Sequence, residues 1–208
     1  LTLFIALSPW WDRALVTLYM ATFGVFISTI IGFTVGIISF QNKHTANFML
    51  GVCDIFQTFP SFVYLIPVMM LFGVTDTSVL IAVIVYATIP ATRYTIEGLR
   101  SVPEALHDAA TMSGVNKVQR LLKIEFPLAF PHMMLGLNQT IVFALFMVII
   151  GAFIGTEDLG QYILKALSDK KGAGIGLTLG LCVAFIGLIF DHLIRTWVGK
   201  RKKHLGIG

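Results

Sequence analysis

The sequence predicts an all-α, polytopic membrane protein with about five transmembrane helices and one helical hairpin outside the bilayer. Three observations lead there. The 208 residues are 56% hydrophobic and 12% charged, about half the charge of an average soluble domain. Five apolar runs have the length that crosses a bilayer, roughly 20 residues. Between the third and fourth lies a polar, basic stretch, residues 101–127, with two helix-start signals and one stop signal. A chain this apolar has little reason to carry such a segment unless something outside the membrane grips it.

The runs are Ala14–Phe40, Phe48–Phe72, Ser78–Thr95, His132–Ile154 and Ile175–Trp197, joined by 41–47, 73–77, 96–131 and 155–174. The second contains Asp54, Gln57, Pro60 and Pro67, so a kink or a break is expected there. Its Gln57, Ser61 and Tyr64 share a helical face at i, i+4 and i+7 if the helix is continuous, and Gln139, Phe143 and Phe146 repeat the spacing on the fourth. Polar groups inside membrane runs are candidates for a solute path, although aromatic residues at this spacing also suit plain helix packing. Asp54 has two readings, a bond to Thr58 or a pair across a dimer, and structural and gating roles are both open. Gly32/Gly36, Gly151/Gly155 and Gly176/Gly180 are small-residue pairs that let helices approach closely in lipid. Arg93/Glu97 and Asp191/Arg195 are i,i+4 ion pairs near helix ends, and Lys200–Lys203 suits an anchor on anionic lipid. In 155–174, Leu159, Ile163, Ala166 and Leu167 have helical spacing between an acidic start (Glu157, Asp158) and a basic end (Lys165, Lys170, Lys171). A short helix on the outer face is expected, packed at the interface or meeting a partner.

Charge sets the orientation. With 41–47, 93–126 and the C-terminus inside, that side holds Lys43, Arg93, Arg100, Lys117, Arg120, Lys123, Arg195, Lys200, Arg201, Lys202 and Lys203, and the other holds Arg13, Lys165, Lys170 and Lys171. Eleven against four is a positive-inside bias, placing the hairpin and the C-terminus in the cytoplasm and 155–174 outside. The chain reads as one membrane domain over 1–208. It opens at Leu1 on an apolar stretch, and residues upstream are expected. The net charge of +4 sits at helix ends and does not suggest nucleic acid. Cys53 and Cys182 fall inside apolar runs and read as buried thiols. There is no G-x-x-x-x-G-K-[ST] phosphate loop, no metal-ligand spacing and no nucleophile elbow. His107, His132, His192 and His204 are scattered and read as surface or packing residues. The chain looks like a conduit and not an enzyme.

The hairpin is the most informative segment. Ser101, with Pro103 in the first turn and Glu104 three residues on, makes a capping-box pattern. The first helix runs to Ser113, and Gly114 suits the left-handed residue that ends it. Asn116 and Gln119 form a second box for a helix over Lys117–Glu125, and Pro127 restarts the chain toward the membrane. Ala105, Ala109 and Ala110 would let a partner's surface approach. An amphipathic pair lying on headgroups is the competing reading; Lys117, Arg120 and Lys123 fit it.

Asp108-Ala109-Ala110, Gly114 and Ile124-x-x-Pro127 resemble the "EAA" loop of ATP-binding-cassette (ABC) importer permeases, with Asp108, a shorter carboxylate, where Glu is usual. The resemblance covers nearly the whole chain. Phe56-Gln57-Thr58-Phe59-Pro60-Ser61-Phe62-Val63-Tyr64-Leu65-Ile66-Pro67, Gly136-Leu137-Asn138-Gln139-Thr140 and Leu159-Gly160-Gln161 are similar to the glycine betaine/proline (osmoprotectant) branch. It implies a multi-pass permease subunit of the cell inner membrane, two copies forming a pore. Two cytoplasmic ATPase subunits carrying ATP and Mg would dock on the coupling helix, Pro103–Ser113, through Glu104, Ala105, Asp108, Ala109, Ala110, Gly114 and Arg120. A periplasmic or extracellular binding protein would deliver a compatible solute: glycine betaine, choline, proline betaine, carnitine or trimethylamine N-oxide. Aromatic faces would meet its quaternary ammonium, worth roughly 0.5–2 kcal/mol each. No cofactor is expected in this chain itself. The competing classes are an ion-gradient-driven secondary transporter, which predicts intramembrane ionisable relays or paired broken helices, and a membrane-integral enzyme.

Overall fold

The computed structural model describes residues 10–152, 158–169 and 172–205. Its elements are α1 (Trp11–Phe40), α2 (Lys43–Thr58), α3 (Phe62–Phe72), α4 (Asp76–Arg100), α5 (Glu104–Met112), α6 (Lys117–Arg120), a π-helical turn (Leu121–Glu125), α7 (Phe126–Gly151), α8 (Leu159–Ser168) and α9 (Ala173–Leu205). Among the described residues, four stretches are long and apolar enough to cross a membrane: Trp11–Phe40, Asp76–Arg100, Lys117–Gly151 and Gly174–Ile194. With the bent pair α2 and α3 as one span, the total is five.

The second span does break, by 90°. Pro60 has no N–H to give the Phe56 carbonyl, and its ring disfavours the helical conformation in the residue before it. Phe59 accordingly lies in the extended region, at φ −69° and ψ 136°. The Tyr64 hydroxyl donates to the Phe56 carbonyl, taking the place of the missing amide.

α4 is the centre of the bundle, and glycines bring both neighbours against it. On α1, a Cβ at Gly24 would lie 2.5 Å from Val83, one at Gly36 would lie 2.6 Å from Thr95, and one at Gly32 would overlap Ala91. Between them the Ser28 hydroxyl donates to the Ile84 carbonyl at 3.0 Å. On the other side, a Cβ at Gly136 would lie 2.6 Å from Tyr94, and Gly98 of α4 faces His132 in the same way. Close approach, with van der Waals contact along the backbone, is how helices associate where lipid is as apolar as the side chains. Gly180 does not follow that pattern: a Cβ there meets nothing within 4 Å. Gly155 lies outside the described residues.

Two boundaries differ from expectation. Pro127 does not restart the chain: α6, the π turn and α7 form one 35-residue helix, Lys117–Gly151. The Phe126 N–H reaches back five residues to the Leu121 carbonyl. That wider turn accommodates Pro127 without ending the helix. At the other end of the bundle, α8 turns Leu159 and Ala166 inward, whereas Leu167 points out. Asp158 is buried and its Oδ1 accepts the Gln161 N–H at 3.0 Å. It caps α8 and is not presented to a partner. Glu157, Lys170 and Lys171, and the side chains of Arg195 and Lys200–Lys203, lie outside the described residues.

Candidate functional site

Two parts of the molecule carry chemistry beyond packing. The first is the hairpin. α5 ends in a full Schellman motif: Gly114 sits at φ +71°, its N–H donates to the Thr111 carbonyl, and the Val115 N–H donates to the Ala110 carbonyl, both at 3.1 Å. The Asn116–Gln119 box forms as expected, with the Gln119 N–H on Asn116 Oδ1 at 2.8 Å and the Asn116 N–H on Gln119 Oε1 at 3.2 Å. The first box does not form. Ser101 instead closes α4, its hydroxyl donating to the Gly98 carbonyl, and Pro103 precedes α5 without a side-chain cap. Helix α4 runs on through Arg100, which leaves Ser101 at its C-terminus.

Of the seven residues read as docking positions, Glu104, Ala105, Asp108, Ala109 and Gly114 are exposed. Met112 joins them at 90% exposure. Ala110 is buried and faces the protein, because it lies toward the α7 root, so it offers no surface to a partner. Arg120 turns back as well: its Nε sits 2.8 Å from Glu125 Oε1. Between α5 and the π turn lies an open hollow of about 620 Å³, lined by Leu106, Ala109, Val115, Ile124 and Pro127 among others. Glu125 was not singled out in the sequence. The signal available there was its isolation, as the only acidic residue between Asp108 and Glu157.

The second part surrounds the break. Arg93 of α4 donates to Asp54, to Gln57 Oε1 at 3.0 Å, and to Glu97 Oε1 at 2.9 Å. The Arg93–Glu97 pair was expected. Asp54, however, pairs with Arg93 and not with Thr58, whose hydroxyl donates to the Ile55 carbonyl. Two carboxylates against one guanidinium leave a formal charge of −1. The Asp54 side chain is 59% exposed, and a charged group facing lipid tails costs roughly 2.5–3.5 kcal/mol. This flank of the chain is therefore better suited to water or protein than to lipid tails.

Aromatic rings continue from the polar cluster. Phe59 and Phe56 are 5.7 Å apart, Phe56 and Tyr64 6.1 Å, Tyr64 and Tyr86 5.0 Å, and Tyr86 stacks on Phe143 at 4.7 Å. Gln57, Ser61 and Tyr64 do not share a helical face, because the break separates them: Gln57 lies in the last turn of α2, Ser61 precedes α3, and Tyr64 lies within it. Tyr64 is buried, with its hydroxyl engaged across the break. On α7, Gln139 and Phe143 are half-buried and Phe146 is exposed. Tyr86, which joins the two halves of the ring series, was missed. It stands seven residues before Arg93 on α4, two helical turns along the same face, and that spacing was its only mark in the sequence.

Comparison with known proteins agrees with this architecture. Residues 24–204 match the family described as "Binding-protein-dependent transport system inner membrane component". The chain is 46% identical over 203 residues to the trimethylamine N-oxide transport system permease protein of Ruegeria pomeroyi, covering 98% of this chain and 31% of that one. It is 32% identical to the glycine betaine transport system permease protein of Bacillus subtilis, covering 93% and 68%. It thus spans about a third of the first relative's length. Among solved structures, an inward-facing conformation of the MetNI methionine ABC transporter superposes with a TM-score of 0.75 at 20% identity, over 89% of this chain and 94% of that one.

Proposed function

Because the chain belongs to the family of binding-protein-dependent transport system inner membrane components, we propose that it is the membrane-spanning subunit of an ATP-driven ABC importer for a compatible solute or quaternary amine. Trimethylamine N-oxide, glycine betaine, proline betaine, carnitine and choline are the candidate solutes. The observation that carries the proposal is the hairpin. A short helix capped at its C-terminus, exposed along Glu104, Ala105, Asp108 and Ala109, stands off a bundle whose long helices are apolar enough to span a membrane. Such a knob suits a soluble partner better than headgroups, since the exposed face of α5 carries Glu104, Asp108, small residues and Met112, and the exposed Lys117 and Lys123 lie beyond it in the hairpin's second arm.

In this reading two permease copies enclose the path. Two ATPase subunits, which hold ATP and Mg, dock on α5, and a binding protein loads solute from the opposite side. The subunit itself hydrolyses nothing. Hairpin and C-terminus are cytoplasmic, in keeping with the bias of Lys and Arg toward that side. The path follows the break, where Gln57 and the Arg93–Asp54 pair offer polar groups to the charged ends of a dipolar solute. Ser61, Gln139, Phe143 and Phe146 line its continuation. Tyr64 shapes the bend from behind. Weak stations of this kind suit transport, since tight binding would slow release.

The test is reconstitution in liposomes with the cognate ATPase and binding protein and a panel of radiolabelled solutes. Import of a quaternary amine that requires ATP inside supports the proposal. Import driven by an ion gradient alone would replace it with the secondary-transporter reading.

A further inference from the structure

We propose that Glu125 is a positioning residue that ties the coupling helix to the long membrane helix, so that a push on α5 moves α7 instead of bending the hairpin. The inference rests on the coupling role proposed above. Glu125 is 2% exposed, although it lies at the hairpin side of the bundle where water is close. Its Oε1 lies 3.0 Å from His107 Nδ1 on α5 and 2.8 Å from Arg120 Nε on α6. Both are close polar approaches without aligned hydrogen bonds: among the described residues, neither Arg120 Nε nor Glu125 Oε1 has a hydrogen-bond partner. Among the described residues, His107–Glu125 is the only polar side-chain contact between α5 and the helix that begins at Lys117.

The π turn makes this contact possible. Arg120 and Glu125 are five residues apart, and in an α-helix that spacing places side chains about 140° apart around the axis. The wider turn over Leu121–Glu125 brings them onto one side. π turns recur at functional sites, and here the distortion sets a carboxylate between two helices that meet at the root of α7.

Folding alone does not call for this arrangement. The Schellman motif and the Asn116 box already fix the hairpin's shape. An apolar side chain would also fill the space at Glu125 with no charge to desolvate, and such replacements are often neutral or stabilising. What the polar contact adds is a defined relative orientation of α5 and α7, which a greasy contact allows to slide.

The experiment compares wild type with Glu125→Gln, His107→Gln and the double variant. Each is reconstituted with its ATPase and binding protein. Solute imported per ATP hydrolysed is measured, together with the melting temperature and yield of the assembled complex. Glu125→Gln keeps the shape and removes the charge. Its import-to-hydrolysis ratio should fall at least about fivefold, the lower end of typical coupling between sites, while assembled complex is still recovered. His107→Gln should lower the ratio less, and the double variant should be no worse than Glu125→Gln, since residues in one contact act non-additively. An unchanged ratio in Glu125→Gln would overturn the proposal, as would a loss of import that only tracks a loss of assembled complex. If Glu125→Gln does not assemble, His107→Gln decides, because it leaves the Arg120–Glu125 pair in place: an unchanged ratio there overturns the proposal and a lowered one supports it. Wild-type complex that imports nothing with ATP would instead sink the coupling reading, a result distinct from variants that behave like a working wild type.

Discussion

Removing one oxygen atom, in Tyr64→Phe, tests how the second span holds its bend. Pro60 leaves the Phe56 carbonyl without an amide donor, and the Tyr64 hydroxyl supplies one. Phenylalanine keeps the ring, its contact with Tyr86 at 5.0 Å and the burial of the site. The loss is therefore a single hydrogen bond and the satisfaction of one carbonyl. Leaving a buried acceptor unmade costs about 1–3 kcal/mol, and hydrogen bonds within membrane bundles reach about 1.7 kcal/mol. The Phe56 carbonyl is only partly buried, so we expect about 1–1.7 kcal/mol, near a tenfold change in the local opening equilibrium. Hydrogen exchange read by mass spectrometry should show the peptide spanning Phe59–Leu65 opening about tenfold more readily. In a Pro60→Ala background the amide at position 60 can serve Phe56, and the added cost of Tyr64→Phe should vanish. Equal exchange in wild type and Tyr64→Phe, or an undiminished penalty in the Pro60→Ala background, would refute the account of the break.

Two further outcomes follow from the glycines. Gly36→Leu should prevent assembly or lower the melting temperature sharply, because its Cβ alone would sit 2.6 Å from Thr95 and overpacking costs about 1–3 kcal/mol. Gly180→Leu, with nothing within 4 Å of a Cβ, should be close to neutral, and equal losses in both would show that close approach to α4 is not what matters. Gly114→Ala should loosen α5 through its backbone alone, since φ is +71° and the space around it is open. The expected cost is about 1–2 kcal/mol, smaller for Gly114→Asn, read as faster hydrogen exchange over Glu104–Met112. Unchanged exchange would mean that the Schellman motif is dispensable.

Much of the fold was legible because membrane spans announce themselves by length and apolarity. The five runs, the irregular second span and the Gly114 and Asn116 signals all have local causes. What failed was local too, but ambiguous. Ser101 has the right neighbours for an N-cap, yet the preceding helix continues through Arg100, and tertiary packing decides where one helix ends. Pro127 reads as a breaker, yet the helix continues past it through a π turn, which has no sequence signature. The polar cluster was half visible: Arg93 and Glu97 are four apart in sequence, whereas Asp54 is 39 positions away from Arg93 and meets it only because α2 lies along α4. Glu125 and Tyr86 were passed over because nothing beside them in the sequence gave them a partner.

The glycine-mediated contacts divide the bundle by stiffness. α1, α4 and α7 touch backbone to backbone, and any slip of one past another would drive a side chain into a helix. They form a rigid keel. α9 is 17% buried along its membrane window, against 61% for α4, and α2–α3 joins α4 through the Arg93 bonds to Asp54 and Gln57 together with the buried Cys53, Tyr64 and Leu65. In the proposed importer, the exposed α9 and the 90° break between α2 and α3 are where movement is expected. There, a substitution that stiffens the bend at Pro60 should lower solute uptake while leaving every contact of the keel as it was.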